Sequence, residues 1–197
     1  MHDIHDDRRR FTEPIRLRNG APAIVRAIRP DDRERLQAAF RALEPESVYL
    51  RYFSYKHELS EADLDRLCNP DFRERVVLVV TQPADAGEII VGSGGYVRHP
   101  AADGAPAAEI AFAVEEDVQS QGISSKLLAV LATMARADGI ERFDAEVLSR
   151  NSAMLHVFEH SGLAMQAQPD EDGVVRLSLS LAPAVVSRSP SFPSSDL

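Results

Sequence analysis

The stretch 107–128, AAEIAFAVEEDVQSQGISSKLL, constrains this chain more than any other. Residues 107–114 alternate at period two, so that Ile110, Phe112 and Val114 fall on one face of a strand and Glu109, Ala111 and Ala113 on the other. A short acidic and polar loop follows, and Gly122 then opens a helix-period run over 123–138. In that run Ile123, Leu127, Leu128, Leu131, Met134 and Ala135 recur at helical spacing and predict one apolar stripe.

A strand, a loop of Gly and small polar residues, and a helix N-terminus together can hold an anion. The first helical turn carries N–H groups without intrahelical partners, and the helix dipole is positive there. Gly122 lets a ligand approach the backbone, and Ser124 and Ser125 add hydroxyl donors. A tight strand-to-helix turn that binds nothing uses the same residues, and the stretch alone leaves both readings open.

The rest of the chain bounds the architecture. With 197 residues, one domain of about 150 to 160 residues with two tails is the simplest reading. An apolar fraction of 44% with 27% charged residues suits a soluble globular protein. No apolar run approaches the ~20 residues that cross a bilayer, and MHDIHDDRRR lacks a signal peptide's apolar core, so no membrane partner is expected. One cysteine, Cys68, cannot form an internal disulfide, which fits a reducing cytoplasm. It joins Leu64 and Leu67 on a helical stripe and reads as a buried spectator. A net charge of -9 argues against nucleic acid and favours a cationic partner such as an amine or a Lys-bearing protein.

In chain order, residues 1–13 mix acids, His2, His5 and Arg8-Arg9-Arg10, and predict a solvated or partly ordered tail to which no metal site is assigned. Ile15 and Leu17 alternate with arginines, Asn19-Gly20 follows, and 23–28 is apolar again, which predicts a hairpin. Pro30-Asp31-Asp32 opens a helix that either aspartate can cap, with Leu36, Ala39, Phe40 and Leu43 inside and Pro45 ending it. Residues 46–53 form an aromatic-rich helix, and core packing is expected for at least two of Tyr49, Tyr52, Phe53 and Tyr55. Ser60 and Asp63 make a capping box for a helix over 61–67.

Residues 76–80 read as a central strand buried on both faces. A turn over 83–87 leads to a strand over 88–98 that carries Gly92-Ser93-Gly94-Gly95. That run lacks the Lys-Ser/Thr of a phosphate-binding P-loop, so close packing or a bulge explains it better. Residues 99–106 read as a loop, 143–148 as a strand, and a helix from Ser149 or Asn151 runs to His160. A hairpin over 163–168 and 174–181 closes the domain, and residues 183–197 are a Ser/Pro-rich tail expected to be disordered. The order predicts an α/β (α+β) fold over 14–182, a mixed sheet of six to seven strands flanked by helices.

The spacing Gln119-x-x-Gly122-x-Ser124 between strand and helix resembles the Gln/Arg-x-x-Gly-x-Gly/Ala motif of the Gcn5-related N-acetyltransferases (GNAT). AEIAFAV is similar to the fourth strand of their lysine-acetylating members, and Asn151 and the SGL at 161–163 extend the likeness. IRPDD, PES-YLRYF and LSEADLDRL resemble the opening of the bacterial Pat-type protein-lysine acetyltransferases, whose helices there wall the acceptor groove. The resemblance implies acetyl-CoA as co-substrate and no metal. Gln119, Ser120, Gln121, Gly122, Ile123, Ser124 and Ser125 would surround its pyrophosphate, and the backbone of Phe112, Ala113 and Val114 would hold the pantetheine and polarise the thioester. Asn151 would donate to the pantetheine, although capping its helix explains it equally well.

Acetyl transfer needs a held thioester, a polarised carbonyl and an unprotonated amine. A lysine amine, with a pKa near ~10.4, must lose a proton before it attacks at neutral pH. Glu109 lies about 17 Å back along the strand from Val114, within reach of a pantetheine arm, and Ala111 and Ala113 leave room beside it. In related lysine acetyltransferases a glutamate at this place is the general base. Glu146 on the next strand matches a glutamate with that role in ribosomal-protein acetyltransferases. Both can also be exposed strand carboxylates paired with Arg142 or Arg150. Relatives often protonate the thiolate with a tyrosine seven residues after the Asn, where this chain has Phe158, so no general acid is assigned.

His156-Val157-Phe158-Glu159-His160 matches an inverted zinc-peptidase pattern, but a further ligand on another helix is required and the match is read as chance. The expectation is a cytoplasmic N-acetyltransferase, monomer or homodimer, acting on a lysine or other primary amine by direct attack. A degenerate fold of the same kind, binding acyl-CoA or a partner protein without turnover, is the alternative.

Overall fold

A computed structural model describes residues 8–52, 56–85, 87–101, 104–115, 118–169 and 172–182. Strands β1 (Thr12–Arg16) and β2 (Pro22–Ala27) form the expected hairpin. Helices α1 (Arg33–Ala42), α2 (Pro45–Tyr52) and α3 (Glu61–Cys68) follow. Then come β3 (Arg75–Ala84), β4 (Gly87–Pro100), β5 (Pro106–Val114), α4 (Ile123–Ala137), β6 (Arg142–Leu148), α5 (Ser152–Glu159), β7 (Ala164–Pro169) and β8 (Val174–Ser180). All eight strands join one sheet in the order β1-β2-β3-β4-β5-β6-β8-β7. Every pairing is antiparallel except β5 with β6, which α4 connects as a crossover.

The sheet exceeds the six to seven strands expected because the two terminal hairpins extend it at opposite edges. The turn expected at 83–87 shortens, since β3 runs to Ala84 and β4 begins at Gly87. Pro45 does not end a helix but opens α2, at the first helical position where a missing N–H costs nothing. The expected tail 1–13 is partly folded: Arg8 is buried, its guanidinium pairs with Asp138 and donates to Met134 O at 3.2 Å. A cation thus sits at the carbonyl end of α4, where the dipole favours it. The readings of His2 and His5, of the side chains of Tyr52, Phe53 and Tyr55, and of the tail 183–197 fall outside the described residues.

Each face of the sheet has its own core. Ile123, Leu127, Leu128 and Leu131 of α4 and Phe158 of α5 pack on Val76, Leu78, Val80, Ile110, Phe112 and Phe143. On the other face, Leu36 and Phe40 of α1 and Leu64 and Cys68 of α3 cover Val77, Val79 and Ile90. The strand predicted over 76–80 is therefore apolar throughout because it is central and covered twice. The glycine run of β4 serves close packing: a Cβ on Gly94 would lie 2.6 Å from the Phe112 ring. Among the described residues no helix is long and apolar enough to cross a membrane.

Asp32 behaves differently from the expected helix cap. Its carboxylate turns inward and accepts from Arg26 at 2.7 and 2.8 Å and from the Arg29 amide at 2.8 Å. Arg26 also donates to Glu88 at 2.7 Å. With 0% and 2% exposure, Asp32 and Arg26 are a buried pair, so removing one partner strands the other charge. Burial pushes the Asp32 carboxyl up, but the donors from Arg26 and Arg29 outweigh it and hold it below its ordinary value. A carboxyl whose folded pKa lies below the unfolded one stabilises above the unfolded value, and this is lost as pH falls through the folded value. Asp32→Asn should therefore cost about 3–5 kcal/mol in urea unfolding at pH 7. The deficit should narrow as the pH is lowered below about 4. An unchanged urea midpoint at pH 7 would show that the pair carries no stability.

Candidate functional site

The sheet opens at its centre. β5 and β6 pair only over Ala107–Glu109 and Arg142–Asp144, whereas β5 stays paired with β4 to Val114 and β6 with β8 to Leu148. Past Glu109 the two strands part, and a groove of about 830 Å³ fills the gap. Its walls run from Arg18 and the 118–125 loop to Glu146 and Asn151. The Glu115 amide donates to Val91 O at 3.1 Å, so odd-numbered peptide groups of β5 face β4. By alternation, the amides of Ile110, Phe112 and Val114 face the opening, and that of Ala113 belongs to the ladder with β4. Gln119 closes the strand end, its Nε2 donating to Val114 O at 3.4 Å.

The loop before α4 holds a strained turn, with Ser120 at φ 60° and Gly122 at φ 87°, a left-handed conformation that suits glycine. The β1–β2 turn fastens it. Arg18 N donates to Gln121 O at 3.3 Å, Arg18 Nη1 to Ser120 O at 3.0 Å, and Asn19 N to Gln121 Oε1 at 2.9 Å. The first intrahelical bond of α4 runs from Lys126 N to Gly122 O, so the amides of Ile123, Ser124 and Ser125 have no helical acceptor. No acidic residue occupies this first turn, and Lys126 is drawn aside to Glu13 at 2.7 Å. The Arg18 guanidinium covers Gly122, with its Nε 3.7 Å from where a Cβ there would lie. The result is a concave set of amides beside one exposed cation, which can hold a diphosphate.

On the α1–α3 face a second cavity of about 400 Å³ meets this groove. Leu43, Glu109, Ala111, Phe112 and Ala113 line both. Glu109 is exposed and its carboxylate has no hydrogen-bond or ion-pair partner among the described residues. The partners expected for it are occupied. Arg142 lies 3.1 Å from Asp144, and Arg150 lies 3.2 Å from Glu46 and stacks on the Tyr49 ring at 5.0 Å. Glu146 does line the groove but pairs with neither expected arginine; Arg176 on β8 holds it at 3.2 Å. Asn151 caps α5, its Oδ1 accepting from Met154 N at 3.1 Å, and this leaves its Nδ2 hydrogens for the groove.

Phe158 is buried against Phe112, ring centroids 6.1 Å apart, and supplies no proton. Cys68 is buried too: its surroundings, and after them the Asp32 charge, push the thiol up to about 11, so it is no nucleophile at neutral pH. His156, Glu159 and His160 converge with ligand atoms within 4.8 Å, all three exposed, and among the described residues no further His, Cys, Asp or Glu joins them. Arg18 is the site residue that spacing could not reveal, because a contact across 102 residues decides where the hairpin turn lands.

The family profile for the Acetyltransferase (GNAT) domain matches residues 23–164. Acetyltransferase Pat of Mycolicibacterium smegmatis is 32% identical over 149 residues, which are 76% of this chain and 43% of that protein. The chain thus spans less than half the length of that relative. The solved GNAT domain of S. lividans PAT is 35% identical and superposes with a TM-score of 0.76, covering 91% of this chain and 99% of that one. Salmonella typhimurium yncA, solved with its cofactor acetyl-CoA, shares the fold at 18% identity and a TM-score of 0.62, over 80% of this chain and 91% of that one. The Arg18 contact gives a direct test of the loop. Arg18→Ala should weaken coenzyme A binding about tenfold by calorimetry, since a charge-assisted contact contributes ~1.5–3 kcal/mol. The deficit should shrink at high salt, and equal affinities at low salt would remove Arg18 from the site.

Proposed function

Because the chain belongs to the GNAT acetyltransferase family, we propose that it transfers an acetyl group from acetyl-CoA to a primary amine, a protein lysine above all. The observation that carries the reading is the place of Glu109, an unpartnered carboxylate at the one junction of the groove and the second cavity. The groove takes the co-substrate: its diphosphate on the amides of Ile123, Ser124 and Ser125 beside Arg18, its pantetheine along the open edge of β5. The amides of Phe112 and Val114 are the donors available to that arm and to the thioester oxygen. Asn151 Nδ2 offers a further contact from α5.

The amine enters from the α1–α3 face. Glu109 accepts its proton, directly or through one water, and the freed nitrogen attacks the thioester carbon. Electrons move onto the carbonyl oxygen, and as the carbonyl reforms the C–S bond breaks and coenzyme A leaves as thiolate. The nitrogen's second proton passes to solvent or to that thiolate, leaving a neutral amide. A thiolate departs without a proton donor, which suits a site with Phe158 in the tyrosine position. Glu146, already held by Arg176, is a weaker candidate for base. A single ternary complex therefore accounts for the arrangement, with no covalent acetyl-enzyme required.

Glu109→Gln should lower kcat/KM for amine acetylation, followed by thiol release, by about 100-fold or more at pH 7. The loss should shrink as pH approaches the amine's own pKa of about 10.4, where the free base needs no help. Glu146→Gln should lose far less. Equal turnover by Glu109→Gln and wild type would remove Glu109 as base. A wild type that binds acetyl-CoA but acetylates no amine would favour the non-catalytic binding module.

A further inference from the structure

The second cavity carries a feature that general amine acetylation does not use. Arg75, the first residue of β3, pairs across the sheet with Val97, and Val97 pairs with Glu109. Directly opposed residues point to the same face, so Arg75, Val97 and Glu109 form one row on the α1–α3 side. Two strand spacings set the outer Cα atoms about 10 Å apart. Val97 between them is one of the few exposed large apolar side chains. All three line the same cavity, and Arg66 of α3 reaches into it beside Arg75.

The Arg75 guanidinium is half-buried and has no carboxylate partner among the described residues. Asp71, whose charge acts on Arg75, and Asp63, which lines the same cavity, make their hydrogen bonds to other groups. Asp71 Oδ1 accepts from the amides of Arg73, Glu74 and Arg75. Asp63 accepts from Lys56 at 2.9 Å, from Ser60 and from Arg66 at 2.8 Å. Burial, and then the Arg66 charge, hold the Arg75 pKa below its ordinary value, with the Asp71 charge opposing them only in part. A half-buried guanidinium that bonds no carboxylate, beside a second one in the same cavity, offers donors that an anionic ligand can take up.

We propose that Arg75, assisted by Arg66, is an anion-holding subsite of the acceptor cavity, selecting amines that carry a carboxylate across a short aliphatic spacer. The inference rests on the transferase reading above and narrows its acceptor. The amine lies at Glu109, methylenes cross Val97, and the carboxylate reaches Arg75. Either a small ω-amino acid or a peptide lysine beside an acidic residue presents that chemistry.

Matched acceptors test it. Wild type should acetylate 6-aminohexanoate with a kcat/KM about tenfold above that for 6-aminohexanamide, the scale of one charge-assisted contact. Arg75→Gln should erase this ratio, and Arg66→Gln, on an exposed helix position, should reduce it. Capped peptides with lysine beside Glu or Gln form the second pair. A preference confined to the first pair assigns the subsite to small acceptors, and one in the peptide pair assigns it to acidic lysine contexts. No preference in either pair, or one that survives Arg75→Gln, overturns the proposal. Calorimetry with 6-acetamidohexanoate and its amide needs no turnover. Tighter binding of the carboxylate, lost in Arg75→Gln, upholds the subsite even if the base assignment fails, and equal binding together with no preference in the peptide pair sinks it.

Discussion

Everything functional in this fold depends on two parallel strands that stop pairing. β5 and β6 share only three residues on each strand, and each then stays with its antiparallel neighbour. A sheet cannot normally leave a central row of peptide groups unpaired, because each buried orphan costs on the order of 1–3 kcal/mol. Here the gap is an open groove, so the unpaired edge of β5 is accessible to solvent or to a ligand. The same parting brings the two faces of the sheet into contact. A ligand along the β5 edge can meet a second one entering from the α1–α3 side, and Glu109 stands on the last shared residue pair before the gap opens.

Such an opening must be held rigidly from both sides. On one side α4 lies hard against β4 and β5, and glycine in β4 permits the approach, since a Cβ on Gly94 would meet Phe112 at 2.6 Å and Leu127 at 3.3 Å. On the other side the start of α1 is tied to the sheet by Arg26, which donates to Asp32 at the helix's N-terminal edge and to Glu88 of β4. A buried ion pair is weak evidence for net stability, because desolvation opposes the Coulomb gain. Its geometry is nonetheless specific: the two-pronged contact fixes where the chain turns from β2 into α1. It therefore sets where Leu36, Phe40 and Leu43 descend on the second cavity.

What could be read along the chain was whatever local periodicity and turn chemistry decide. The stripe of α4, the Ser60–Asp63 capping box, the Asn19-Gly20 hairpin, the burial of Cys68 and the placement of Glu109 on the open face all follow from short-range spacing. Registry between distant strands is a different kind of information. It put Arg18 over Gly122, gave Glu146 to Arg176 rather than Arg142 or Arg150, and folded Arg8 onto Asp138. The added strand count has the same origin, because local sequence predicts a hairpin but not which sheet edge receives it. Asp32 shows the limit within a local motif: a good capping residue was taken by a stronger acceptor role once Arg26 was buried beside it.

The β5 strand shows how closely pattern and chemistry are bound together. Along a strand, the side-chain face and the direction of the peptide group both alternate at every residue. Ile110 and Phe112 send their side chains into the α4 core, and the same parity turns their amides to the groove. Glu109 and Ala111 do the reverse, with side chains toward the second cavity and amides toward β4. A slip of one residue would expose the aromatic, bury the glutamate and turn the donor amides away together. The apolar alternation that makes AEIAFAV fold as a strand thus also selects which amides face the groove and which carboxylate faces the second cavity. Phe112 anchors that choice: packed on Phe158 and seated over Gly94, its ring fixes the register on which both depend.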